Sequence, residues 1–178
     1  LSGTVDALKV ATSGDYAYVV RGSGTNNFTV VNISNPAAPS VVGNLTLAGT
    51  PANIAISGNY AYIANGGDTT EFQVVNISNP ASPTLAATLD LAGTANATGV
   101  YVSGNTAYVT RAASTTTNSN ELAFITITTP TAPVVNGGYN NNSITMSEAY
   151  VSGNYAYVAT TSTSAEMIIV KVSNLASP

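Results

Sequence analysis

An all-β fold, a β-propeller built of four repeats, is predicted for this 178-residue chain by three observations. A short phrase recurs four times. It reads Ser13-Gly14-Asp15-Tyr16-Ala17-Tyr18-Val19, then Ser57-Gly58-Asn59-Tyr60-Ala61-Tyr62-Ile63, Ser103-Gly104-Asn105-Thr106-Ala107-Tyr108-Val109 and Ser152-Gly153-Asn154-Tyr155-Ala156-Tyr157-Val158. The copies start 44, 46 and 49 residues apart, the size of a four-stranded propeller blade. No stretch carries a helical periodic face, whereas period-two alternation recurs. The repeats, of about 45 residues, fall at approximately 5–47, 48–91, 92–139 and 140–178 within one domain. They form either a closed four-bladed ring or an arc of a larger propeller.

Each repeat reads as four antiparallel strands. Strand A is short, at 8–12, 53–56, 100–102 and 149–151. A two-residue Gly-Asn or Gly-Asp loop follows, and Gly at its first position suits a type II′ hairpin. Strand B is at 16–20, 60–64, 106–110 and 155–159. Strand C is at 28–33, 72–77, 122–127 and 167–172, and it ends at Ser34-Asn35-Pro36, Ser78-Asn79-Pro80, Thr128-Thr129-Pro130 and Ser173-Asn174-Leu175. Proline has no N–H for a ladder, so the strand stops there. Strand D is at 41–47, 85–91 and, more weakly, 134–139.

Strand B explains how blades stack. Tyr16 and Tyr18 point to one side, Ala17 and Val19 to the other. The small residue recurs as Ala17, Ala61, Ala107 and Ala156. Large side chains on one blade against small ones on the next allow face-to-face packing. The strand B tyrosines, with Tyr18, Tyr62, Tyr108 and Tyr157 as equivalents, therefore read as inter-blade core rather than a sugar-stacking platform.

Composition narrows the chemistry. The chain is 44% hydrophobic but 7% charged, with a net charge of −4. Four basic residues cannot neutralise a phosphate track, which argues against nucleic acid. Cysteine and histidine are absent, which removes disulfides, thiolate metal sites and the usual general base. No apolar run approaches a membrane span. The chain opens at Leu1 without an initiator Met and reads as a mature or excised segment.

The Gly-Asn-Tyr-Ala-Tyr-Val phrase and the strand C segment with its Pro turn resemble the LVIVD-repeat family of β-propellers. The strand C copies are Phe28-Thr29-Val30-Val31-Asn32-Ile33, Phe72-Gln73-Val74-Val75-Asn76-Ile77, Leu122-Ala123-Phe124-Ile125-Thr126-Ile127 and Met167-Ile168-Ile169-Val170-Lys171-Val172. The family's usual aspartate is replaced by Asn32, Asn76, Thr126 and Lys171. The resemblance implies an extracytoplasmic propeller, often a module of larger surface proteins, and implies no enzyme activity.

Length variation between repeats is confined to two loops. The interval from strand B to strand C is 10, 10, 14 and 10 residues, and the interval from D to A is 18, 20 and 19. Both loops lie at one end of an up-and-down blade, a pattern of binding faces and of neutral drift alike. The departures at 111–121 and 136–147 come from adjacent repeats and are expected side by side. They supply the candidate interaction residues Arg111, Thr116, Asn118, Glu121, Tyr139, Asn141 and Asn142.

Other charged positions have plainer readings. Arg111 and Glu121 flank one hairpin and are expected to form a surface ion pair of small value. The 65–71 loop, with Asp68 and Glu71, offers too few carboxylates for calcium. Lys9 and Glu148 sit early in strand A, near a propeller's axis. Asp6, Asp15, Asp68, Asp90 and the glutamates make no evident acid–base pair. No catalytic, cofactor or metal site is therefore assigned. The sequons at Asn27, Asn44, Asn96 and Asn141 fit chance in an Asn- and Thr-rich chain.

The fourth repeat has no strand D after Pro178, and Leu1-Ser2-Gly3-Thr4 matches Leu47-Ala48-Gly49-Thr50. Three completions follow: residues further along a longer chain, residues 1–5 closing a four-bladed ring against 167–172, or a strand donated by a neighbour. The expected function is a non-catalytic extracellular or cell-surface scaffold, adhesion or assembly module acting through protein contacts. The alternative is a carbohydrate-binding module using the loop face. Expected partners are a protein or glycan at one loop face, with self-association through the incomplete last blade.

Overall fold

In a computed structural model, the described residues are 6–22, 24–67, 69–114, 119–141, 144–175 and 178. The first blade comprises β1 (Ala7–Ser13), β2 (Tyr16–Arg21), β3 (Phe28–Asn32) and β4 (Ser40–Leu45). The second holds β5 (Pro51–Ser57), β6 (Tyr60–Asn65), β7 (Phe72–Asn76) and β8 (Thr84–Leu89). The third holds β9 (Ala97–Ser103), β10 (Thr106–Arg111), β11 (Leu122–Thr126) and β12 (Val134–Tyr139). The fourth has β13 (Met146–Ser152), β14 (Tyr155–Thr160) and β15 (Met167–Lys171). Among the described residues each sheet is an antiparallel meander in chain order, four-stranded three times and three-stranded in the last blade.

The A–B hairpins follow the turn chemistry. Gly14 has φ 54°, and Gly58, Gly104 and Gly153 have φ 57°. Nothing lies within 4 Å of a Cβ placed at any of them, so the turn requires glycine for its dihedral rather than for space. The strands themselves are more irregular than the alternation suggests. Strand A carries a bulge at Leu8, Ala52, Thr98 and Ser147, where the register skips one residue. Strand D carries one at Val42, Ala86 and Asn136. A bulge adds a residue and local twist, which is why strand A runs to 7 residues.

Blade stacking builds the core in three layers. We call the side bearing Tyr18, Tyr62, Tyr108 and Tyr157 the front, and the side bearing the repeated alanine the back. The front of the first blade (Tyr18, Val20, Phe28, Val30) packs on the back of the second (Ile54, Ala61, Ile63, Val75). The front of the second (Tyr62, Phe72, Val74) packs on the back of the third (Val100, Ala107, Val109, Ile125). The front of the third (Tyr108, Leu122, Phe124) packs on the back of the fourth (Ala149, Ala156, Val158, Val170).

Among the described residues, the fourth blade keeps its front side uncovered. Tyr18, Tyr62 and Tyr108 are 3%, 2% and 6% exposed, but Tyr157 is 39% exposed. Tyr157 therefore departs from the expected core role, because no blade lies on its front side. On the back of the first blade only strand A is open: Val10 is 60% exposed, whereas its equivalents Ile54 and Val100 are 6% and 7%, and Ala17, Val19 and Thr29 of the same side are buried. A single ion pair, Lys9 Nζ to Glu148 Oε1 at 3.3 Å, links the end blades among the described residues. The ring-closing expectation for residues 1–5 lies outside the described residues.

Ala107 is fully buried against the Tyr62 side of the second blade. Ala107→Leu is expected to overpack that layer and cost about 1–3 kcal/mol in urea unfolding. An unchanged midpoint would contradict the layer as described.

Candidate functional site

One backbone clamp recurs at the loop end of every blade. The last residue of strand B donates its N–H to the residue just before strand C: Arg21 to Asn27 O and Asn65 to Glu71 O at 2.8 Å, Arg111 to Glu121 O at 2.8 Å, and Thr160 to Glu166 O at 2.9 Å. The longer B–C loop of the third blade thus extends beyond an unchanged neck.

The side chain before strand C reaches back to the linker after strand D. Asn27 accepts from the Leu47 N–H at 2.7 Å and donates to Leu47 O at 2.9 Å. Glu71 Oε2 accepts from the Leu91 N–H at 3.2 Å, and Glu121 Oε2 from the Asn141 N–H at 2.8 Å. Each link spans 20 residues. Asn27, Glu71 and Glu121 are buried, so each satisfies a linker N–H that would otherwise lose water without replacement. Glu166, in the three-stranded blade, is exposed.

Arg111 departs from expectation. It is 1% exposed and pairs with Glu71 of the preceding blade, Nη2 to Oε1 at 3.5 Å. The expected surface pair with Glu121 is corrected by this geometry. Glu121 is occupied by the N–H groups of Ser114 and Asn141, while Arg111 turns towards the 91–95 linker. Its Nε donates to Ala95 O at 3.1 Å, and Nη1 donates to Ala92 O at 2.9 Å. Nη1 also reaches Ser119 Oγ at 3.3 Å and Asn120 O at 3.4 Å, and Nη2 reaches Leu91 O at 3.5 Å. One guanidinium fork therefore ties the second blade's linker to the third blade's inserted loop.

Burial pushes the Glu71 carboxyl above its ordinary value, against the opposing pull of its own N–H, the Leu91 N–H and Arg111. Burial likewise pulls Arg111 down, opposed by Glu71, Glu121 and Asp90. Nearby, Asn65 Nδ2 donates to Ala48 O and to Gln73 Oε1, the latter at 3.2 Å. Asn65 Oδ1, Glu71 Oε1 and Gln73 Nε2 have no hydrogen-bond partner. For Glu71 Oε1 the neighbouring guanidinium supplies charge compensation instead.

The other candidates separate clearly. Tyr139 and Asn141 are half-buried. Thr116, Asn118 and Asn142 lie outside the described residues, as does Asp68 of the 65–71 loop. The two variable loops do meet: the Ala113 N–H donates to Thr145 Oγ1 at 3.0 Å, beside the Asn141–Glu121 bond. Asn32 Oδ1 accepts from the Ser34 N–H at 2.9 Å, and Asn76 Oδ1 from the Ser78 N–H at 2.9 Å. At the position of the family's usual aspartate, these residues provide an acceptor oxygen for a local turn, which needs no charge. Among the described residues, no three acidic side chains converge as metal ligands, and no helix is long and apolar enough to cross a membrane.

A groove of about 470 Å³ lies on the uncovered front of the fourth blade, lined by Tyr101, Glu148, Tyr150, Tyr157 and Met167. Tyr101 and Tyr150 pack with ring centroids 4.9 Å apart. The repeat pattern marks Tyr157 as core, so its exposure is visible only once the blades are placed.

The LVIVD-repeat family model matches residues 5–46, 48–90, 94–141 and 147–178. No curated protein matches the chain. Among solved structures, the computationally designed Ika4 protein is similar with a TM-score of 0.72 at 12% identity, over 96% of this chain and 94% of that one. The designed Ika8 protein gives 0.66 at 13% identity, over 92% of this chain and 45% of that one. A functionally unknown protein from Desulfotomaculum acetoxidans DSM 771 gives 0.63 at 18% identity, over 97% and 59%. At these identities the likeness concerns the fold.

Arg111→Ala strands the buried Glu71 carboxylate and is expected to cost about 3–5 kcal/mol in urea unfolding. Glu71 also sets a pH dependence. Its raised value means the folded state holds a proton that the unfolded state has released. Its contribution is therefore most favourable below the ordinary carboxylate value of 4.5 and declines as pH rises through the raised one. Unfolding of Glu71→Gln, followed from about pH 4 to about pH 8, is expected to lack that decline. Parallel wild-type and variant curves would contradict the assignment.

Proposed function

The chain belongs to the LVIVD-repeat family, and from that premise we propose that it is a non-catalytic propeller scaffold of an extracellular or cell-surface protein, acting through protein contacts. One observation carries the reading. Arg111, Glu71 and Glu121, which have the chemistry a catalytic centre would draw on, are all buried and engaged in holding linkers and blades together. Apolar side chains meanwhile stand exposed on the end blades, as protein contact surfaces do. A weakly charged chain rich in Ser, Thr and Asn supports the placement outside the cytoplasm.

A carbohydrate-binding reading stands second. It draws on the junction of the two variable loops, where Tyr139 and Asn141 are half-buried. Tyrosine rings and amide side chains are groups that suit a sugar.

Two measurements test these readings. Protease treatment of intact cells that make the parent protein is expected to remove this segment from an antibody blot. Full protection would contradict a surface location. A glycan array probed with the purified chain is expected to be blank. Saturable binding lost in Tyr139→Ala would replace the scaffold reading with the second one.

A further inference from the structure

Two identical tripeptides sit in opposite surroundings. Asn-Gly occurs twice in the sequence, as Asn65-Gly66-Gly67 and Asn136-Gly137-Gly138. Such a pair can react with itself. The backbone nitrogen of the glycine attacks the asparagine side-chain amide, and glycine carries no side chain to obstruct the approach.

In the second blade both reacting groups are held. Asn65 is fully buried, and its Nδ2 donates to Ala48 O and to Gln73 Oε1. The nucleophile is engaged as well, since the Gly66 N–H donates to Thr50 O at 2.9 Å. Reaction there requires the blade to open first.

In the third blade the same tripeptide lies open. Asn136 is exposed in β12, which pairs only with β11 in its sheet and so stands at an edge. The register passes from Gly137, opposite Phe124, to Val135, opposite Ile125. Asn136 is therefore the bulge residue, left out of the ladder. Among the described residues no hydrogen bond holds its side-chain amide. Gly137 has φ 137°, outside the dihedrals of a regular strand. The bulge residues of the first and second blades are Val42 and Ala86, which carry no such chemistry.

We propose that Asn136 is a modification site, converted through a succinimide to aspartate and isoaspartate with water as the co-reactant. The Gly137 nitrogen gives up its proton and bonds to Asn136 Cγ. The Cγ–Nδ2 bond breaks, and ammonia leaves with a proton. Water then opens the ring at either carbonyl. Attack at Cγ breaks the new bond and yields aspartate. Attack at the main-chain carbonyl carbon breaks the original peptide bond and yields isoaspartate. Either product adds a negative charge to an edge strand, and isoaspartate lengthens the backbone where pairing is already interrupted. The inference is independent of the scaffold reading.

The test is to hold the purified 178-residue chain in mildly alkaline buffer, folded in one sample and unfolded in urea in another. Tandem mass spectrometry then follows amide-to-acid conversion at positions 65 and 136, with isoaspartate resolved from aspartate. In urea the two sites are expected to react at similar rates, since their tripeptides are identical. In the folded chain conversion at Asn136 is expected to exceed that at Asn65 by roughly tenfold or more, because only Asn65 must wait for local opening. Isoaspartate is expected to outweigh aspartate, and the rate to rise with pH. Equal rates at the two sites in the folded chain would overturn the proposal, as would conversion at Asn136 that yields aspartate alone.

Discussion

Everything in this molecule depends on a bulky side of one sheet meeting a small side of the next. The front sides carry tyrosine beside a second ring, with centroids 6.2 Å apart for Tyr18–Phe28, 6.0 Å for Tyr62–Phe72 and 5.6 Å for Tyr108–Phe124. The facing back sides answer with Ala61, Ala107 and Ala156, all fully buried. The third blade keeps the volume while moving it. Leu122 stands where Phe28 and Phe72 do, and Phe124 where Val30 and Val74 do. Cores accept such exchange when total volume is preserved.

A second, polar layer lies at the loop end. Stacked meanders need linkers that cross from strand D of one blade to strand A of the next, and those linkers carry backbone groups into buried ground. Asn27, Glu71 and Glu121 each take up one linker N–H. At the third blade, where the B–C loop is longest, Arg111 donates to the carbonyls of Leu91, Ala92 and Ala95. A buried ion pair contributes little net stability but fixes a geometry that is costly to break. Here it fixes the second blade against the third.

Most of the fold was legible because its signals are local. The Gly turns, the period-two alternation and the Pro-terminated strand C each act within a few residues, and strand 134–139 matches β12 (Val134–Tyr139). The bulges at Leu8, Ala52, Thr98 and Ser147 were not, since skipping a residue depends on the partner strand's register. The Arg111–Glu71 pair was hidden for a related reason. Glu121 is nearer in sequence and equally acidic, and only the path of the 91–95 linker decides between them. The exposure of Tyr157 was hidden because its repeat looks like the others, while its cover depends on a following blade. The candidate loop residues were legible as a cluster, but burial moved Arg111 and Glu121 from display into support.

The central claim is that stacking, more than sheet formation, stabilises each blade. Tyr62 and Tyr157 occupy the same repeat position on strand B, one covered and one open. The most direct measurement is urea unfolding of Tyr62→Ala beside Tyr157→Ala, at a dilution where single chains are observed. The account predicts a loss of about 3–5 kcal/mol for Tyr62→Ala and a small fraction of that for Tyr157→Ala. Equal losses at the two positions would contradict it.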